Sequence, residues 1–98
     1  MTKDAERIYT FLGFAQKAGK VASGENTVEA KIKEKSACLL IVAEDAPEHT
    51  KERMERLARN CHVDYLLFGE KNRLGQCIGK SPRNAVLVSD KNFAAQIL

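Results

Sequence analysis

Ile8, Phe11, Leu12, Ala15 and Ala18 recur at the three-and-four spacing of one helical face, and Gly19 supplies a stop. A short extended piece around Val21 follows. A second helix then opens at Ser23 or Gly24, with Val28 and Ile32 four apart on its apolar side. In that register Lys31, Lys33, Glu34 and Lys35 mostly face water. Cys38 to Ala43 is short, unbroken and rich in β-formers, the pattern of a central strand covered on both faces. The loop Glu44-Asp45-Ala46-Pro47 leaves its carboxyl end. A third helix runs from about His49 to Asn60 and turns Met54, Leu57, Ala58 and Cys61 inward. Its Glu52/Arg56 and Glu55/Arg59 pairs suit the wet face. Val63 to Phe68 predicts another strand, ended by Gly69, and Arg73 to Gly79 a short helix presenting Leu74, Cys77 and Ile78. After a basic loop at 80–84, Ala85 to Val88 reads as a fourth strand. Asp90 caps a last helix carrying Phe93, Ala94 and Ile97. Strands that alternate with helices through short links, with no internal repeat, predict an α/β fold: a three-layer α/β/α sandwich around a mainly four-stranded mixed sheet, one domain over residues 1–98.

Composition narrows the function classes. Hydrophobic residues are 44% of the chain and charged residues 30%, which fits a globular protein with a real core. The longest apolar run, Cys38 to Ala43, is far short of the roughly 20 residues of a membrane helix. The mixed charges from Met1 to Arg7 lead into no signal-type stretch, so a cytoplasmic setting is expected. Cys38, Cys61 and Cys77 are odd in number, share no CxxC spacing and fall at apolar-facing positions. Buried, reduced thiols are expected, with no disulfide. His49 and His62 are isolated, and the single Cys61-His62 neighbour pair builds no tetrahedral site, so no metal is expected.

Catalysis finds little support. There is no Walker loop and no GxGxxG, and Ser23, Ser36, Ser81 and Ser89 lack a nucleophile-elbow setting. Glu44-Asp45 follows a buried strand, yet adjacent loop carboxylates more often cap a helix or face water than act as an acid/base couple. A non-enzymatic protein without a cofactor is expected.

Charge adds direction. Residues 1–43 carry a net +2, residues 44–64 a net −2 and residues 65–98 a net +3, so two basic stretches flank an acidic centre. A fold that joins the outer stretches makes a modest positive patch. The Ser23-Gly24 helix start offers unpaired backbone N–H groups at the positive end of a helix dipole, a setting that receives phosphate or a base edge. Gly24 leaves room for close approach, and Asn26 offers both a donor and an acceptor. Lys17, Lys20, Thr27, Lys31, Lys80 and Arg83 complete a surface able to hold nucleic acid. Aromatic side chains for base stacking are scarce, which favours a folded RNA over an unstructured strand. The rule for doubly wound sheets favours the strand-end segments 43–48 and 69–71 for a ligand. The loops at 20–26, 44–48 and 80–84 are expected to share one edge with them.

The run from Phe11 to Asn26, FLGFAQKAGKVASGEN, resembles the opening of the L-seven-Ae/L-thirty-e ribosomal protein family in its bacterial branch. Ile41-Val42-Ala43-Glu44-Asp45-Ala46, Leu74-Gly75 with Ile78-Gly79-Lys80, and Val88-Ser89-Asp90-Lys91 with Phe93-Ala94 extend the resemblance in order over nearly the whole chain. It implies an α/β/α sandwich that binds kink-turn RNA, a bent helix–internal loop–helix with tandem sheared G·A pairs. Gly24, Glu25, Asn26 and Thr27 would then meet the G·A pairs and nearby phosphates. The loop of Ser81, Pro82, Arg83 and Asn84 would meet a protruding nucleotide, with Glu44 and Asp45 on the same surface. Two positions depart from the family's strongest binders, which carry Asn-Glu where this chain has Asn26-Thr27 and a lysine where it has Ala30. The implied partners are structured RNA, ribosomal RNA included, and other ribonucleoprotein proteins, with the chain itself a monomer and no membrane involved. The rival expectation is a protein-interaction module on the same fold.

Overall fold

The computed structural model describes residues 2–98; Met1, the first residue of the charged N-terminal stretch, lies outside them. Helix α1 (Thr2–Lys17) leads to β1 (Val21–Ser23), α2 (Glu25–Lys31), β2 (Leu39–Val42) and α3 (Glu48–Asn60). Then come β3 (Asp64–Leu67), α4 (Lys71–Cys77), β4 (Ala85–Val88) and α5 (Lys91–Ile97). The strands form one sheet in the order β1-β4-β2-β3. Strands β2 and β3 run parallel, while β4 is antiparallel to both of its neighbours, so the sheet is mixed.

The apolar runs explain this order. β2 and β4 are buried at all four positions, as inner strands covered on both faces must be. β3 is an edge strand, and its Leu67 is 44% exposed. Helix α1 packs against α4 and α5 on one side. On the other, Arg53 of α3 donates to Glu29 of α2 at 2.7 Å, joining those two helices. Leu12, Val28, Leu40, Met54, Leu74 and Leu87 fill the core between the layers. Each contributes on the order of 1.5–3 kcal/mol by leaving water.

Several boundaries differ from the sequence reading. Ala18, placed there on the apolar face of the first helix, lies in the turn beyond Lys17 and is exposed. The fourth helix begins at Lys71, not Arg73, because Asp45 Oδ1 accepts the Lys71 backbone N–H at 2.9 Å. That cap comes from a distant loop, and no local pattern reveals it. The cysteines are half-buried against the core and unpaired, not fully buried. Among the described residues no helix is long and apolar enough to cross a membrane.

The register positions the site. Ser23 pairs with Val86, and Val42 pairs with both Ala85 and Leu67. The carboxyl ends of β1, β2 and β3 therefore meet the amino end of β4 at one end of the sheet. At the other end Asp90 Oδ1 accepts from the N–H groups of Asn92 and Phe93 at 2.8 and 3.1 Å, as its capping role requires. Asp90→Ala is expected to cost about 0.5–2 kcal/mol, read as a shift of the denaturant midpoint with an unchanged slope.

Candidate functional site

One wall of the site starts where β1 ends. Gly24 holds φ 92° and ψ 144°, a left-handed φ that an L side chain would strain, and its N–H donates to Ala85 O at 3.0 Å. The facing wall is the loop before β4. Arg83 Nε donates to Ser23 Oγ at 3.1 Å, while Nη1 folds back on Ser81 Oγ at 2.7 Å and on the carbonyls of Ser81 and Pro82 at 3.2 Å. The main chain of this loop is tied as well: Arg83 N donates to Lys71 O at 3.0 Å, and Asn84 O accepts from Ala43 N at 2.9 Å. The result is an open cleft of about 370 Å³ between Ser23–Thr27 and Pro82–Asn84.

Glu25 joins the two walls. Asn84 Nδ2 donates to its Oε2 at 3.1 Å, and its Oε1 accepts from Arg53 at 2.5 Å and from Thr50 Oγ1 at 3.4 Å. These donors, the Asn84 amide foremost, hold the carboxyl below the ordinary glutamate value, although partial burial pushes the other way. Asn26 and Thr27 are exposed on the rim, and Ala30 is exposed further along the same helix. Because α2 is only seven residues long, its summed dipole is small. The cleft therefore relies on side chains and open backbone more than on the dipole invoked from sequence.

The candidates divide into groups. Gly24, Glu25, Asn26, Thr27, Pro82, Arg83 and Asn84 line one cleft, so the convergence of the 20–26 and 80–84 loops is observed. Exposed Ser81 and Lys80 lead into it, the Lys80 N–H donating to Gly75 O at 2.8 Å. Lys31 lies at the far end of α2, beside Gly19, Val21, Ser36 and Ser89. Exposed Lys20 precedes β1 at that same end, where its carbonyl accepts from Ser89 N at 2.9 Å, and exposed Lys17 ends α1. Glu44 and Asp45 do not line the cleft: Glu44 borders a separate cavity with Tyr9, Gly69 and Glu70, so the 43–48 and 69–71 segments expected on the same edge face away from it. Asp45 caps α4, and the Glu44 carbonyl accepts from Lys51 Nζ at 3.0 Å.

Sequence reasoning missed three supporting residues. Thr50 is a polar side chain only 1% exposed, and Arg53 bridges Glu25 and Glu29; both lie on a helix whose charged residues were read as a solvated outer face. Gly75 is the third. A Cβ there would lie 2.6 Å from the Ser81 carbonyl carbon and 2.9 Å from Pro82 Cα, so a bare helix surface is what lets the loop lie against α4. A glycine inside a helical pattern was the available signal. Elsewhere, the Cys77 thiol donates to Leu74 O at 3.1 Å, and burial pushes it up to about 11. Among the described residues no group of three or more His, Cys, Asp or Glu is arranged to hold a metal ion.

Fold and cleft together define a class of small α/β/α proteins that present a polar, hydrogen-bonding surface at one end of a mixed sheet. The chain belongs to the Ribosomal protein L7Ae/L30e/S12e/Gadd45 family, whose model matches residues 6–98. It is 33% identical over 90 residues to the RNA-binding protein YlxQ of Bacillus subtilis (strain 168), covering 92% of this chain and 90% of that protein. A protein of the same name from Enterococcus faecium is 30% identical over 89 residues, covering 91% and 85%. Neither name carries a catalytic activity, in keeping with a non-enzymatic family. A solved protein of unknown function from Bacillus halodurans C superimposes with a TM-score of 0.84 at 27% identity, over 93% of this chain and 96% of that one. The Giardia lamblia 15.5 kD RNA binding protein shares the fold, with a TM-score of 0.84 at 21% identity over 97% and 84%.

Two outcomes follow from this geometry. Gly→Ala in a helix ordinarily stabilises by roughly 1 kcal/mol, but Gly75→Ala should destabilise by about 1–3 kcal/mol through overpacking against the 81–82 backbone, read by denaturant unfolding. The Glu25 carboxyl should titrate by NMR below the ordinary value of about 4.3. Its folded value is depressed, so its contribution to stability is present above the unfolded value and is lost as pH falls through the folded one. Glu25→Gln should therefore weaken the dependence of stability on pH in that acidic window.

Proposed function

We propose that this chain is a non-catalytic, cytoplasmic RNA-binding protein that recognises structured, kink-turn-like RNA within a ribonucleoprotein, ribosomal RNA being one such partner. The observation that carries the reading is the meeting of two segments distant in sequence, 23–27 and 82–84, in one open polar cleft rimmed by exposed Asn26 and Thr27. Family membership and two relatives named as RNA-binding proteins support it. In this reading Asn26, Thr27 and the Gly24 backbone address the base edges of the G·A pairs, which specify, and the phosphates beside them. Lys17, Lys20, Lys31 and Lys80 address phosphates, which position. Ser81, Pro82 and Arg83 contact an extruded nucleotide. Asp45 supports that loop from behind, through the Asp45–Lys71 and Lys71–Arg83 hydrogen bonds, and Glu44 offers a further polar contact outside the cleft. The whole chain acts as one RNA-binding domain, as a monomer.

Titration against a simple kink-turn, beside a control with its G·A pairs replaced by Watson–Crick pairs, tests the reading. Affinity should fall linearly on a log–log plot against salt, by about 0.7–0.9 per phosphate neutralised; a flat response, or no binding, would favour a protein-interaction module. Lys20→Ala should weaken both RNAs alike. Asn26→Ala should cost roughly 1–3 kcal/mol on the kink-turn and less on the control. Thr27 and Ala30 lie three apart on α2, and both are exposed. Thr27→Glu with Ala30→Lys should tighten kink-turn binding.

A further inference from the structure

The walls of the cleft come from opposite ends of the chain, so non-covalent contacts alone set their spacing. Glu25 lines the cleft, yet internal donors already occupy its carboxylate: Asn84 on one oxygen, Arg53 and Thr50 on the other. Three of its roughly four acceptor sites are thereby taken within the protein. The arrangement is braced from behind. Arg53 reaches Glu25 with one nitrogen and Glu29 with the other, at 2.5 and 2.7 Å, and so turns two like charges four residues apart into a shared ion pair. Thr50, buried on α3, donates to the same oxygen as Arg53. Asn84 responds in kind. Its Nδ2 faces the carboxylate, and its Oδ1 is buried with no protein donor. Turning the amide over would aim Oδ1 at a negative charge, so Glu25 fixes the orientation of this side chain.

We propose that Glu25 is a positioning residue: held by Thr50 and Arg53 of α3, it clamps Asn84 and so sets the distance between the Asn26-Thr27 wall and the Pro82–Asn84 wall. The inference deepens the RNA reading and rests on it for its ligand. A helix that does not line the cleft thereby governs what the cleft selects. An RNA with an extruded nucleotide engages both walls at once and benefits from their fixed spacing. A continuous duplex held through phosphates engages the exposed lysines and does not. Preorganisation of this kind shows as selectivity, because ordering the loop costs affinity only for the ligand that needs it.

The test has an arm without RNA. Hydrogen exchange followed by NMR should show the Arg83 amide, bonded to Lys71 O, exchanging at least about tenfold faster in Glu25→Ala than in the parent, with amides in the middle of β2 and β4 unchanged. Glu25→Gln preserves side-chain volume and an acceptor for Asn84 while losing the charge that Arg53 needs. It should fall between the two, and it carries the test if the alanine variant does not fold. In the RNA arm, Glu25→Ala should lower the affinity ratio of an extruded-nucleotide RNA over a duplex of equal length by about tenfold, through loss of affinity for the extruded-nucleotide RNA. Asn84→Ala added to Glu25→Ala should cause no further loss, as for two halves of one clamp. Unchanged exchange at Arg83 in both Glu25 variants would overturn the clamp, as would equal losses for both RNAs. If the parent binds neither RNA, the proposed function fails, and the exchange arm still decides whether Glu25 positions the loop.

Discussion

Strand β4 follows all the other strands in sequence yet lies inside the sheet, hydrogen-bonded to β1 on one side and β2 on the other. Without it β1 has no partner strand, and the 23–27 segment has nothing to face. Its antiparallel direction matters as much as its place. Because β4 starts where β1 and β2 end, the loop entering it passes beside Ser23 and Gly24. The Gly24–Ala85, Arg83–Lys71 and Ala43–Asn84 backbone hydrogen bonds all follow from that crossing. The cleft is a product of strand order before it is a product of any side chain.

That order also explains which features the sequence carried openly. Continuous apolar runs marked β2 as a central strand and β4 as a strand, and Asp90 marked the start of α5, because each is a local signal of burial or capping. The start of α4 was not visible, since its cap is Asp45, on a loop separated from it by α3 and β3. Glu25 looked like an ordinary acid in a first turn facing RNA. Only the fold shows that its charge points inward, to Asn84 and α3. Ala18 had the spacing of a core residue, but the chain turns one position earlier and leaves it in water. The segments of the site could be read from pattern and resemblance. Their convergence was an inference from the fold class, because pairing across the sheet is not encoded in any one window.

The surface divides its work by charge. Lysines 20 and 31 lie at one end of β1 and α2, whereas the cleft end holds the Asn26-Thr27 rim and an internally satisfied glutamate, with Lys80 leading in. Such a division separates holding from reading: a mobile cation attracts any polyanion, and a fixed amide or hydroxyl discriminates among shapes. Arg83 belongs to the second kind here. With Nε on Ser23 and Nη1 on its own loop, it serves as a brace as much as a charge.

The inner position of β4 also sets a schedule for synthesis. Until translation has passed residue 88, the emerging polypeptide holds two fragments: α1, β1 and α2, in which β1 lacks a partner strand, and a β2–α3–β3 unit in which one edge of β2 is unpaired. Insertion of the last strand closes both at once, through contacts long-range in sequence. The nascent chain must therefore stay open and unaggregated over most of its length. The run of glutamate and arginine on α3 is the kind of charged, mixed-sign surface that opposes association of such fragments.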